Sequence, residues 1–284
     1  MKNQKIFKTL FFAFAFFAFS LAAFAQTGTL IKKTTYKNDS IDFGVGGSIS
    51  ITGAPKGSIS IEGWDKPEIE VSAEIEAQAA TEADLAQLSA VNGFILDQGF
   101  NTTRIVSVGT FDRDYMKRTA KKFPKALLGM PFKIDFKIKV PRYCDLNITG
   151  GDGDFSLTGV DGEIFVKYLN SNAKINLIGG SLQATFGVGT VDVTIPTRSW
   201  RGRFADIQLA TGTMNVQFPL SFNADVEAEI LRTGQIENSF AELKPKARNI
   251  KFTEKSISAK AGNGGIPLKF TVGDGTLKIG QVKN

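Results

Sequence analysis

Residues 47–63 read GSISITGAPKGSISIEG, and this stretch decides how the rest of the chain is read. The unit GSISITG at 47–53 returns ten residues later as GSISIEG at 57–63, with Ile on one side of the backbone and Ser on the other. A strand this short cannot bury its apolar face alone, so a repeated one implies neighbours to stack on.

The same rhythm extends outward in both directions. Residues 132–140, FKIDFKIKV, put Phe132, Ile134, Phe136, Ile138 and Val140 on one side, with Lys133, Asp135, Lys137 and Lys139 on the other. Residues 68–76 do likewise, with Ile69, Val71, Ala73 and Ile75 inward. Pro67 and Pro141 sit at the ends of these runs, where a missing backbone donor costs little. From Gly150 the chain continues as DFSLTG, GEIFVK, AKINLIGG, SLQATFG and GTVDVTI, separated by Gly, Asp or Asn turns. The inward set is Leu146, Ile148, Phe155, Leu157, Ile164, Val166, Ile175, Leu177, Leu182, Val191, Val193 and Ile195. The spacing drifts between about 7 and 11 residues, which fits rungs of two or more strands with variable corners. The expected fold is all-β, a β-solenoid of stacked short parallel strands with one short helix. Because alternation is common to parallel and antiparallel sheets, an antiparallel β-sandwich is the alternative.

The short helix is expected after Thr81, an N-cap with Asp84 three residues on. Leu85, Leu88 and Val91 share one face, and Asn92 with Gly93 closes the end. Residues 112–131, DRDYMKRTAKKFPKALLGMP, break the strand rhythm and read as a long basic loop with a helical turn between Tyr115 and Lys122. The domain reading is a signal peptide at 1–25, N-terminal strands, helix and basic loop at 26–140, and Gly-punctuated rungs at 141–284.

The leader reading rests on Lys2, Lys5 and Lys8, an apolar run from Leu10 to Phe24, and Ala23 and Ala25 in the small-x-small cleavage pattern. The run falls short of the roughly 20 residues of a membrane span. Export to the periplasm, cell surface or medium is expected, with Gln26 as the new N-terminus and no transmembrane segment after cleavage. Composition then removes whole classes of chemistry. The chain has no His and one Cys, Cys144. A Ser-His-Asp triad, a Cys-His dyad, a His-bearing zinc site and a disulfide within the chain are all impossible. Cys144, among apolar neighbours, reads as a small buried hydrophobe. The formal charge of +6 falls to +3 without the three leader lysines, too mild to argue for nucleic acid.

GSISIEGWDKPEIEVSAEIE, the capped helix, FKIDFKIKVPRYCDLNIT, the Gly-punctuated rungs and ISAKAGNGGIPLKFTVGDGTLKI together resemble the bacterial putative-adhesin family of unknown function. The resemblance runs from about Gly44 to Ile279. Its recurring features match as Gly63, Trp64 and Asp65, as Val140 and Pro141, and as Gly262 to Gly265. It implies an exported or envelope-associated β-solenoid and identifies no catalytic site. The basic excursion at 112–131 is longer than the family pattern requires.

Three constellations bear on function. Asp152 to Glu163 carries carboxylates at the first, third and twelfth positions of an EF-hand loop, yet Leu157 stands where the sharp turn needs Gly. GGDGDFSL approaches the calcium-binding nonapeptide, but Asp154 comes one residue early. These acids read as corner residues. A carbohydrate-active site would need Asp152, Asp154, Asp161 and Asp192 to converge with a base such as Lys167 or Lys174. The densest basic cluster is Arg113, Lys117, Arg118, Lys121, Lys122 and Lys125, with Tyr115 and Phe123 between. It suits contact with anionic envelope glycan or lipid head groups. The expectation is a non-enzymatic envelope protein without cofactor or metal, acting in adhesion, scaffolding or ligand contact. A β-helical carbohydrate-active enzyme and a lipid- or lipopolysaccharide-binding protein are the alternatives.

Overall fold

The alternation at 132–140 becomes a strand with Ile134, Phe136, Ile138 and Val140 buried and Lys137 exposed. It belongs to a computed structural model that describes residues 30–44, 46–196, 201–249 and 251–282. The leader expected at 1–25 lies outside the described residues. The strands begin with β1 (Ile31–Asp42), β2 (Ser48–Thr52), β3 (Ile59–Trp64) and β4 (Glu68–Ala79), followed by helix α1 (Glu82–Val91). β5 (Gly93–Gln98), β6 (Thr102–Val108), helix α2 (Arg113–Thr119), a 3-10 turn at Lys125–Leu127 and β7 (Phe132–Pro141) come next. β8 (Asp145–Asp152), β9 (Phe155–Thr158), β10 (Glu163–Asn176), β11 (Ser181–Thr194) and β12 (Phe204–Phe218) form the middle. β13 (Ala224–Ile230), β14 (Gly234–Asn238), β15 (Leu243–Pro245), β16 (Ser256–Ala261) and β17 (Pro267–Gln281) complete the order.

Among the described residues all 17 strands join one mixed sheet, so the fold is all-β. Its centre is a parallel ladder in which β10 pairs with β11, β11 with β12, and β12 with β17. Phe155, Ala173 and Val191 occupy one column, and Leu146, Ile164 and Leu182 another. Residues one rung apart there differ by 18 in sequence number, rising to 23 between Asp192 and Asn215. The chain reads as short strands because the long strands at the two ends of this ladder, β10 and β17, each take two short neighbours on one side, one along each half. β10 shows this plainly, meeting β8 through Ile164–Asn170 and β9 through Ala173–Ile175. The two halves face one another across the core. Phe155 of a second half lies 5.5 Å from Tyr168 and 6.3 Å from Phe186, both in first halves.

The bend needs glycine at Gly212 and Gly275, whose φ of 139° and 140° lie in a region that side chains avoid. A Cβ at Gly212 would overlap the carbonyl oxygen of Gly189, and one at Gly275 that of Gly212.

Rung order departs from chain order at both ends. β2 lies between β6 and β8, and β3 between β7 and β9. Similarly, β17 lies between β12 and the β13–β14 rung. Antiparallel strands flank the ladder, with β1 on β4 and β4 on β7 at one end, and β16 on β13 and β15 on β16 at the other. Every residue of the expected inward set from Leu146 to Ile195 is buried. A buried Phe or Ile of this kind stabilises by about 1.5–3 kcal/mol.

Helix α1 starts as expected, with Thr81 Oγ1 accepting from the Asp84 amide at 3.1 Å and Leu85, Leu88 and Val91 buried. The segment at 112–131 is more ordered than a loop with one helical turn. It contains α2, a second helix, because Asp112 accepts from the amides of Asp114 and Tyr115 at 3.0 and 2.9 Å, and Lys117 and Arg118 suit the last turn. Among the described residues no helix is long and apolar enough to cross a membrane.

Candidate functional site

The basic segment is seated on the fold by its apolar residues. Met116 of α2 is buried, and Leu127 joins a small cluster with Ala77, Ala79, Leu85 and Leu88, against which Phe123 and Met130 pack. Phe111 stacks on Phe132 at 5.5 Å just before α2. This arrangement turns the polar side outward: Arg113, Lys117, Arg118, Lys121, Lys122 and Lys125 are all exposed. Lys117 meets Asp114 at 3.4 Å, an exposed pair of little energetic weight.

The acids proposed for calcium or sugar chemistry are distributed by the register. Asp152 accepts from Asn170 Nδ2 at 2.6 Å and Asp154 from Asn172 Nδ2 at 3.2 Å, each across one rung. Asp192, in the column of Ser156 and Lys174, accepts from Asn215 Nδ2 at 2.6 Å. Asp161 stands beside Gly179, near the corner that precedes β11. These contacts make carboxylate–amide ladders along the corners and outer face. Burial and the Asp145 charge push the Cys144 thiol up to about 12, as suits a core residue.

The sequence reading missed a polar groove of about 810 Å³ on the outer face of the second half-strands. Ser156, Lys174, Asp192, Asn215, Lys278 and Glu237 follow one another in register along it. Lys278 and Glu237 approach to 3.5 Å. Successive rungs repeat at about 4.8 Å, so the column offers hydrogen-bonding groups at regular intervals. Only the stacking register could reveal it, since each residue alone looks like an ordinary outward polar position.

No family model matches the chain, and no curated protein does. Among solved structures it is similar to a putative cell adhesion protein from Clostridium sporogenes, at 13% identity and a TM-score of 0.49, over 88% of this chain and 100% of that one. A putative adhesin from Bacteroides fragilis matches at 11% identity and a TM-score of 0.34, over 86% and 97%. A putative lipid binding protein from Parabacteroides distasonis matches at 12% identity and a TM-score of 0.28, over 88% and 97%.

Proposed function

We propose that this chain is an exported, non-enzymatic protein of the cell envelope, cleaved after Ala25, in which residues 26–140 lead into a β-solenoid body at 141–284. The long parallel ladder, with glycines at the middle of β11, β12 and β17 and inward residues stacked in columns, supports a solenoid over an antiparallel sandwich. Its role is contact with anionic envelope glycan or lipid head groups through the segment from Arg113 to Lys125. The observation that carries this reading is the exposure of all six cations on a segment anchored by Met116, Phe123 and Leu127. A fixed array of like charges attracts a polyanion multivalently, where single exposed charges would not. The spread of Asp152, Asp154, Asp161 and Asp192, each occupied in a corner or ladder, weighs against the carbohydrate-active alternative.

The test replaces Lys117, Arg118, Lys121 and Lys122 together by Gln and measures association with polygalacturonate and, separately, with vesicles containing an anionic phospholipid. Wild-type binding should fade as salt rises well above about 0.15 M. The variant should bind weakly at low salt and unfold within about 0.5 kcal/mol of the wild type. Equal binding by the two proteins to both partners would defeat the proposal.

A further inference from the structure

Lys244 of β15 and Lys260 of β16 stand directly opposite one another in an antiparallel pair, so both side chains leave the same face of the sheet. Like charges placed this way repel and weaken the strand pairing. Asp225 faces Lys260 from the neighbouring strand, β13, and Lys246 reaches Glu227 only at 3.9 Å. Arg248, Lys251 and Lys255 follow in the chain, and all six cations are exposed. Lys255 donates to the Arg232 carbonyl at 2.7 Å, while among the described residues Lys244, Arg248, Lys251 and Lys260 form no ion pair.

The topology puts this second cluster at the far end of the molecule from the first. β15 pairs only with β16, and β14 only with β17, so each is the outermost strand on its side of the core. The Lys246 amide donates to the Ser258 carbonyl at 3.1 Å, and the Ile236 amide of β14 donates to the Glu254 carbonyl at 2.6 Å. Residues 246–249 and 251–255 therefore lie over that end of the ladder. The segment from Arg113 to Lys125 sits at the other end, where Leu127 and Phe123 pack with Ala77 and Ala79 of β4. From β7 to β14 the half-strands stack through β3, β9, β10, β11, β12 and β17. Seven spacings of about 4.8 Å separate the two by roughly 34 Å. This is several times the Debye length of about 8 Å at 0.15 M, so the clusters act as independent charges.

We infer that the cluster around Lys244 and Lys260 is a second contact surface for anionic glycan, and that the protein cross-links two polymer chains, one at each end. The cross-link rests on the anionic-glycan reading of the segment from Arg113 to Lys125; the second surface does not. A polymer carboxylate between Lys244 and Lys260 accepts charge-assisted hydrogen bonds from both and removes their repulsion. A soluble polyanion suits this surface better than a bilayer, because no large apolar side chain is exposed among the described residues of 244–260 to enter one.

The test mixes the full exported chain with polygalacturonate at low salt, following light scattering in solution and retention on the immobilised polymer. Wild type should raise scattering several-fold. Replacing Lys244, Lys246, Arg248 and Lys260 together by Gln should leave the urea midpoint unchanged and hold scattering at baseline, with retention within about tenfold of wild type through the remaining cluster. Adding these changes to the variant lacking Lys117, Arg118, Lys121 and Lys122 should abolish its residual retention. Scattering by the Lys244 variant equal to wild type, or residual retention indifferent to loss of the Lys244 set, would overturn the inference. If loss of the Lys117 set alone changes nothing while loss of the Lys244 set abolishes retention, the reading of the basic segment fails and takes the cross-link with it, leaving only the second surface. Clustering of anionic phospholipid vesicles without cross-linking of polygalacturonate would overturn the choice of glycan.

Discussion

Replacing Gly212 by Ala should destabilise the protein far more than a single methyl normally does. With φ at 139°, any side chain there is strained, at roughly 1–2 kcal/mol by analogy with other positive-φ conformations. The added Cβ would also overlap the Gly189 carbonyl oxygen on the next rung. Because that oxygen belongs to the stacked backbone, it cannot swing aside, and overpacking of this kind costs about 1–3 kcal/mol. Together the loss is about 2–5 kcal/mol. Gly129→Ala is the control, since that glycine is exposed with open space around it, and its effect should stay within about 0.5 kcal/mol. With a urea m-value of about 3 kcal/mol/M, the Gly212 variant should lose on the order of 1 M in its unfolding midpoint. Midpoints for Gly212→Ala and wild type that agree within about 0.2 M would refute the close rung-to-rung contact at the bend.

Two further outcomes follow from the core and the ion pairs. Phe136, 1% exposed and edge-on to Phe94 at 5.7 Å, should cost about 3–5 kcal/mol on truncation to Ala, against about 0.5 or less for its exposed neighbour Lys137; equal losses in denaturant melts would mean the faces of β7 are reversed. The Glu76 carboxyl, hydrogen-bonded by Lys32 at 2.6 Å with Lys133 at 3.8 Å, is held below the ordinary carboxylate range. A depressed folded pKa means that its stabilisation is present above the unfolded carboxylate pKa and disappears as pH falls through the folded value. Melting temperature should therefore fall less steeply below about pH 5 in Glu76→Gln than in wild type, and identical acid slopes would show that the cluster contributes nothing.

Period-two alternation was enough to identify the core columns, because a half-buried strand must put Phe155, Leu157, Ile175 and Val193 on the apolar side whatever it pairs with. The caps of α1 were readable for the same local reason. Partner choice is not local. Nothing in PLKFTVGDGTLKI distinguishes insertion between β12 and the β13–β14 rung from addition at the end of the ladder. β1 went unrecognised because most of its residues are exposed and it lacks an apolar face. The basic cluster was legible as charge, but its seating through Met116 and Leu127 was not, since those contacts reach residues far away in sequence.

The parallel register is tested most directly by disulfide trapping. Lys167 and Thr185 are exposed register partners on β10 and β11. Paired Cα atoms on adjacent strands lie about 5 Å apart, within disulfide range. If β10 and β11 instead formed a hairpin turning at 177–180, Lys167 would stand opposite Thr190. Under mild oxidation, followed by peptide mass spectrometry, Lys167→Cys with Thr185→Cys should cross-link within one chain, while Lys167→Cys with Thr190→Cys should remain reduced. Cross-linking of the 167–190 pair in place of 167–185 would contradict the parallel ladder and favour an antiparallel sandwich.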